Sequence, residues 1–312
     1  MSKRRVPRLL QSPAVILLLL WMLIPLGMTL FFSFIRYVLN SLRRPEWTSP
    51  SIDNWRGFGN YEYVLNAKDF WFAVQNSMFI VGCILAITVL LGLALAVLVN
   101  RSFPGRGIVR VLLISPFFVM PAVNAVLWIN MILDPVLGLN GLAVDGINSI
   151  VAGLREFPVL GAFFSLWPEF EPISFRATQT SAYAVIMMVA WQWTPFAVLI
   201  FMTSLQSEDE QQKEAAILDG ASAWSRFRNL TLPHLGRPIA IVIMIQSIFH
   251  LSLYAEIEIV SRGNGNKNLP YLIGEFTSNN IGAASATGIF AVILANIVAI
   301  FLLRMVGKNL MD

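Results

Sequence analysis

The side chains with the strongest chemical character are few and far apart. Two histidines, His234 and His250, and the single cysteine, Cys83, stand in separate stretches, so they cannot assemble a ligand set with metal spacing. No GxxxxGK[ST] segment is present to cradle a nucleotide phosphate, and no nucleophile–base pair can be argued. What remains is a set of uncharged polar residues inside apolar runs. Gln246, His250 and Tyr254 recur at i, i+4 and i+8, which on a helix places them along one slowly drifting face. Asn124 and Asn130 lie near Pro121, and Gln192, Trp193 and Thr194 lie next to Pro195. These are donors and acceptors backed by an aromatic wall. Such chemistry suits a neutral, hydroxyl-rich solute better than an ion or an amino acid. The same residue types also bridge helices within membranes, and Asn296 reads as such a case.

The elements that must position these residues follow from composition. Of 312 residues, 56% are hydrophobic and only 13% charged, against roughly 25% charged in a typical soluble domain. Mean hydropathy is +0.67. This chain cannot cover a soluble core with polar surface, so it reads as an all-α integral membrane protein. The net charge of +4 does not indicate nucleic acid, because the basic residues are dispersed between apolar runs. Six stretches free of Lys, Arg, Asp and Glu approach the ~20 residues a crossing needs: 9–35, 70–100, 111–133, 177–207, 238–255 and 276–303. Segments 136–144 and 157–168 are too short to cross and predict short interfacial helices. The first span is preceded by Lys3, Arg4, Arg5 and Arg8. Its apolar run exceeds that of a signal peptide, so a retained anchor is expected.

Basic residues set the orientation. With the N-terminus inside, 13 of the 22 Lys and Arg fall in short inner segments and nine in the longer outer ones, which favours both termini in the cytoplasm. The expected organisation is a tail and first span over 1–36, an outer loop over 37–70 and a five-helix core over 71–306. That core carries an outer segment at 134–176 and an inner loop at 206–237, and a tail follows at 307–312.

The inner loop 206–237 carries a message. Ser207 followed by Glu210 predicts a capping box, the helix then meets Gly220 as a left-handed stop, Ser222 caps a second short helix, and Pro233 ends it. The product is a helix–glycine–helix hairpin with Trp224, Phe227 and Leu230 on an apolar side. Taken alone, the hairpin reads equally as a connector resting on the membrane surface or as a coupling element for a groove on a cytoplasmic partner.

Glu214-Ala215-Ala216, Asp219-Gly220-Ala221 and Leu230-x-Leu232-Pro233 resemble the EAA loop of the membrane subunits of binding-protein-dependent ABC importers. The resemblance covers nearly the whole chain. The Pro-Ala-Val-Ile-Leu-Leu…Ile-Pro-Leu first span, Arg106-Gly107-x-x-x-Arg110 before Pro116 and Pro121, and Gly282-Ala283-Ala284-Ser285-Ala286 are similar to the MalF/UgpA-type carbohydrate group. Leu230 stands where Ile is commoner, and 262–267 reads Arg-Gly-Asn-Gly-Asn-Lys where a Gly-Gly-Pro segment is usual. The resemblance implies the type I importer permease fold with six transmembrane helices, in the inner (plasma) membrane of a bacterium. It implies pairing with a second permease, two ATP-binding subunits below and an extracytoplasmic solute-binding protein above. This chain would hold no cofactor, with ATP and Mg on the partner ATPase subunit. Glu214, Ala215, Ala216, Asp219, Gly220, Leu232 and Pro233 would serve coupling, within the ATPase groove. Within the group the chain looks most similar to polyol (sorbitol or mannitol) permeases. The other functional class, an ion-coupled secondary transporter, expects ionisable groups at mid-membrane. None lies within the six central spans, and Glu256 and Glu258 are expected at the aqueous mouth of span five.

Overall fold

A computed structural model describes residues 5–38, 52–157 and 160–310. Lys3, Arg4, residues 39–51 of the outer loop, residues 158–159 and the last two residues of the tail lie outside these. Every regular element among the described residues is helical. In chain order these are α1 Arg5–Ser33, α2 Gly59–Asn66, α3 Lys68–Val99, α4 Arg106–Ile114, α5 Pro121–Leu127, α6 Leu139–Arg155, α7 Leu160–Phe164 and α8 Ser181–Gln206. Then follow α9 Glu210–Leu218, α10 Ala223–Arg226, α11 Leu232–His234, α12 Gly236–His250, α13 Ala255–Ser261, α14 Leu269–Thr277 and α15 Ile281–Leu310. Among the described residues, four helices, α1, α3, α8 and α15, are long and apolar enough to cross unbroken. Two bent pairs, Arg106–Phe118 with Pro121–Ile132 at 102° and Ala223–His234 with Gly236–His250 at 55°, bring the number to the expected six if each is one span.

The first bend breaks the third apolar stretch, 111–133, from within; the second falls just before the fifth, which continues unbroken in α12 to His250. In span three the cause is Pro121, whose ring drives the preceding residue out of the helical region, and Met120 is accordingly extended with ψ 139°. Span six also differs at its start: Phe276 belongs to the separate short helix α14, and the long helix begins only at Ile281. The segment after span three is more helical than its glycines suggested. Asp134 accepts from the backbone amides of Val136 and Leu137 at 2.9 and 2.8 Å, and Leu139–Arg155 then forms one 17-residue helix. The hydrogen bonds from Leu137 and Val136 hold the Asp134 carboxyl below its ordinary range.

The described residues form two compact units. One comprises residues 1–74 and 269–296, the other 75–268 and 297–312. In the first, the chain leaving α1 is clamped by Asn60, fully buried, whose Nδ2 donates to Ser33 O at 2.9 Å and Ile35 O at 2.8 Å. Phe34 stacks on Trp55 with centroids 5.3 Å apart, and Tyr61 meets Phe290 edge-on at 5.7 Å. The start of α15 fits this clamp because its residues are small. Ala283 and Ala286 are completely buried, and a Cβ on Gly282 would lie 2.5 Å from Ile35 O and 2.7 Å from Asn60 Nδ2. The second unit is built on α8, whose Ala197, Val198, Phe201 and Leu205 pack with Ala96 and Val99 of α3 and Val242 of α12.

Since the neighbour of Gly282 is backbone, relief by side-chain rotation is closed. Gly282→Leu should therefore destabilise by about 1–3 kcal/mol, the usual cost of overpacking, read as a lower unfolding midpoint of the purified protein in detergent. An unchanged midpoint would show that this contact opens freely.

Candidate functional site

The polar residues offered for the solute path fall in the second unit; Asn296, read as a bridge between helices, instead donates to Val292 O of its own helix at 2.8 Å. The break in span three leaves backbone without helical partners, and a side chain closes it: Gln192 Nε2 donates to Val119 O. Gln192 is held in turn by Asn124, whose Nδ2 donates to Gln192 Oε1 at 3.1 Å and to Met188 O at 3.1 Å. Both side chains are buried. Non-helical backbone at membrane depth survives only when it is satisfied in this way. Asn124 Oδ1 remains without a hydrogen-bond partner among the described residues.

Trp193, the next residue of α8 after Gln192, centres an aromatic cluster. Its ring meets His250 edge-on with centroids 5.0 Å apart, Phe249 at 5.0 Å, Phe117 at 5.5 Å and Phe196 at 5.8 Å. Gln246 is fully buried beside it, accepting from Thr88 Oγ1 at 2.7 Å and donating to Trp193 O at 3.3 Å. The structure thus joins Gln246, His250 and Trp193 in one group and Asn124 with Gln192 in another. His250 is 1% exposed, and neither ring nitrogen has a hydrogen-bond partner among the described residues.

Three expected members fall elsewhere. Tyr254 does not continue the Gln246–His250 face, because α12 ends at His250 and Tyr254 lies in the connection before α13, 44% exposed. Asn130 accepts from Arg176 at 2.7 Å on an exposed surface, apart from Asn124. Thr194 donates to Ala190 O of its own helix at 2.6 Å, the ordinary way a helical threonine is satisfied. Glu256 is not at an open mouth either. It is buried on α13, and the desolvation pushes its carboxyl above the ordinary range. Thr88 was missed. Its signal was a lone hydroxyl in the otherwise apolar Ile80–Val99 portion of α3.

The inner hairpin has the expected turn. Gly220 has φ +73°, its amide bonds Ile217 O at 3.0 Å, and the Ala221 amide bonds Ala216 O at 2.9 Å, which is the Schellman closure. Ser222 caps the second arm through Ser225 N at 3.2 Å. The first arm starts differently. Asp209 caps α9 by accepting from Gln211 N at 2.9 Å, while Ser207 turns back to Ser204 O and closes α8. An extended Asp209 one residue before the helix outcompetes a serine already spent as the end of the previous one. Nor does Pro233 end the second arm. The helix widens to a π turn over Phe227–Thr231, carries Pro233 at the start of α11, and bends only at Leu235–Gly236. Thr231 and Lys213 both reach Glu208, at 2.9 and 3.4 Å, and tie the arms at their base. At the tip, Leu218 is 88% exposed, Trp224 69% and Ile217 55%. Glu214, Ala215, Asp219 and Gly220 are exposed as well.

If the Gln192–Val119 contact holds the break, Gln192→Leu should cost about 1–3 kcal/mol by leaving a buried carbonyl unmet. Thr88→Val should cost less, about 0.6 kcal/mol, because hydrogen bonds between membrane helices average that little. Unfolding midpoints of the two variants in detergent should separate in that order, and equal midpoints would sink the assignment.

Residues 88–312 match the family described as "Binding-protein-dependent transport system inner membrane component". Among curated relatives, the trehalose transport system permease protein SugA of Mycobacterium tuberculosis is 24% identical over 98% of this chain and 90% of its own length. The inner membrane ABC transporter permease protein YcjO of Escherichia coli is 28% identical over 92% and 91%. Among solved structures, a chain of a bacterial alginate ABC transporter complexed with alginate pentasaccharide-bound periplasmic protein superposes with a TM-score of 0.72. That match is at 18% identity and covers 97% of this chain and 94% of the other, so it speaks to the fold. The chain belongs to the family of inner membrane components of binding-protein-dependent transport systems.

Proposed function

We propose that the chain forms half of the translocation pathway of an ATP-driven importer for a neutral carbohydrate or polyol. On this reading it pairs with a second permease, two ATP-hydrolysing subunits dock on its inner face, and a solute-binding protein delivers from outside. The relatives are themselves named for trehalose, maltose and lactose transport, which supports the carbohydrate class. Polyol selectivity rests on the sequence resemblance together with the uncharged donors Gln246, Trp193 and His250. Nucleotide and metal would be held by the ATPase subunits.

The observation that carries the coupling role is the hairpin tip. A loop tied at its base, turned by a positive-φ glycine and baring Ile217, Leu218 and Trp224 is built to enter an apolar groove. Water alone would not leave such a knob uncovered. On this reading residues 206–237 and both termini are cytoplasmic, and Glu214 meets a basic partner in the groove.

A Cβ at Gly220 meets no atom within 4 Å, so only its φ is constrained. Gly220→Val should cost about 1–2 kcal/mol in the left-handed region and lower uptake and co-purified ATPase subunit by about tenfold. Gly220→Asn, which tolerates that region, should retain both. A reporter fused after Gln212 should read cytoplasmic. Normal uptake in Gly220→Val would refute the coupling role, and an outside signal at Gln212 would refute the orientation.

For the solute path, uptake of a labelled sugar alcohol and of a hexose should fall in Gln246→Ala, His250→Ala and Trp193→Ala. Loss of a buried hydrogen bond or stacking contact to solute is worth about 1–3 kcal/mol, hence about five- to hundredfold in uptake. Unchanged uptake in all three would assign these residues to packing and the path to another face.

A further inference from the structure

Helix α4 is amphipathic in an inverted sense. Ile108, Val111 and Leu112 are 69%, 69% and 65% exposed on one side. Arg106 and Arg110, one turn apart, share the opposite side. Both residues are half-buried, and Nε of each and one terminal nitrogen of Arg110 are screened from solvent without a hydrogen-bond partner among the described residues. A guanidinium stays charged at any working pH, and donor atoms shut off from water without an acceptor are costly. The protein therefore leaves a place for an anion here.

The surroundings narrow the choice. Arg110 borders a recess walled by Leu113, Ile114, Pro195 and Met202. That recess shares Leu113, Pro195 and Val198 with an apolar groove of about 540 Å³ between α3, α4 and α8, where Leu91, Leu95 and Trp191 add further wall. A free inorganic anion would gain nothing from this groove. A protein carboxylate would be followed by polar backbone. A phospholipid presents a phosphate and, directly beneath it, an acyl chain. Phosphate also matches the guanidinium fork, and basic pockets between transmembrane helices are where anionic headgroups settle.

We propose that Arg106 and Arg110 bind the phosphate of an anionic phospholipid whose acyl chain lies in the groove between α3, α4 and α8. The proposal rests on the membrane-spanning fold and is independent of which solute is carried.

Trp128 and Trp191 line the groove and supply a probe. The full chain, with any subunits that co-purify, is reconstituted with bromine-labelled acyl chains on phosphatidylglycerol or on phosphatidylcholine, and tryptophan quenching is titrated. The wild type should be half-quenched at about tenfold lower phosphatidylglycerol than phosphatidylcholine. The R106Q/R110Q double variant should lose that preference, and W128F/W191F, which keeps the seven other tryptophans, should lose most of the difference in quenching between the two lipids. Millimolar inorganic phosphate should leave the wild-type titration unmoved. Equal quenching by the two lipids in the wild type would overturn the proposal without recourse to any variant. Displacement by inorganic phosphate would make it a free-anion site instead. Retained lipid preference in R106Q/R110Q, with loss of a co-purified subunit, would assign the arginines to a protein carboxylate.

Discussion

Hydrocarbon offers no hydrogen bonds, so any departure from helix within the bilayer must be satisfied by the protein itself. The break at Val119–Met120 is such a departure, and Gln192 is its answer. Once Gln192 is committed to Val119 O, Asn124 is needed to orient it, and Asn124 is placed by the short helix that Pro121 begins. Pro121 makes the 102° bend, and the exchange of a backbone partner for a side-chain amide satisfies the carbonyl that the bend leaves open. A straight third span would have required none of these polar residues. It would also have left no irregular wall beside α8.

The same constraint explains why charge is absent from the spans while uncharged polarity is common. Amides and hydroxyls can be absorbed by pairing, as Thr88 and Gln246 show, at small net gain. Among the atoms left over, Asn124 Oδ1 and both nitrogens of His250 belong to the residues offered for the solute path. Buried polar atoms in native proteins are nearly always met. On the proposed reading, a hydroxyl-rich solute in passage meets them.

Much of this architecture was legible from the sequence. Apolar runs bounded by charge located the four unbroken apolar helices to within about five residues, and Gly220 announced its own left-handed turn. The failures share one physical origin: periodicity treats each segment as a continuous helix. Tyr254 was placed on the Gln246–His250 face by counting in fours through a point where α12 ends. Asn130 was grouped with Asn124 although Arg176 draws it to the surface, and Arg176 is distant in sequence. Ser207 and Asp209 competed for one cap, and only the end of α8 decided between them. Bends and long-range partners are tertiary events, which a repeat of four residues does not encode.

The hairpin tip has one more consequence. Leu218 and Trp224, bare in the isolated chain, are an apolar knob of the kind that folded monomers rarely show. Cells triage exposed apolar surface through chaperones and proteases, so lifetime follows how often such surface is seen. The knob would therefore report assembly: covered, the subunit persists, and left bare, it is cleared. The contact proposed to transmit force would thus also meter supply, matching the abundance of this subunit to that of its partner.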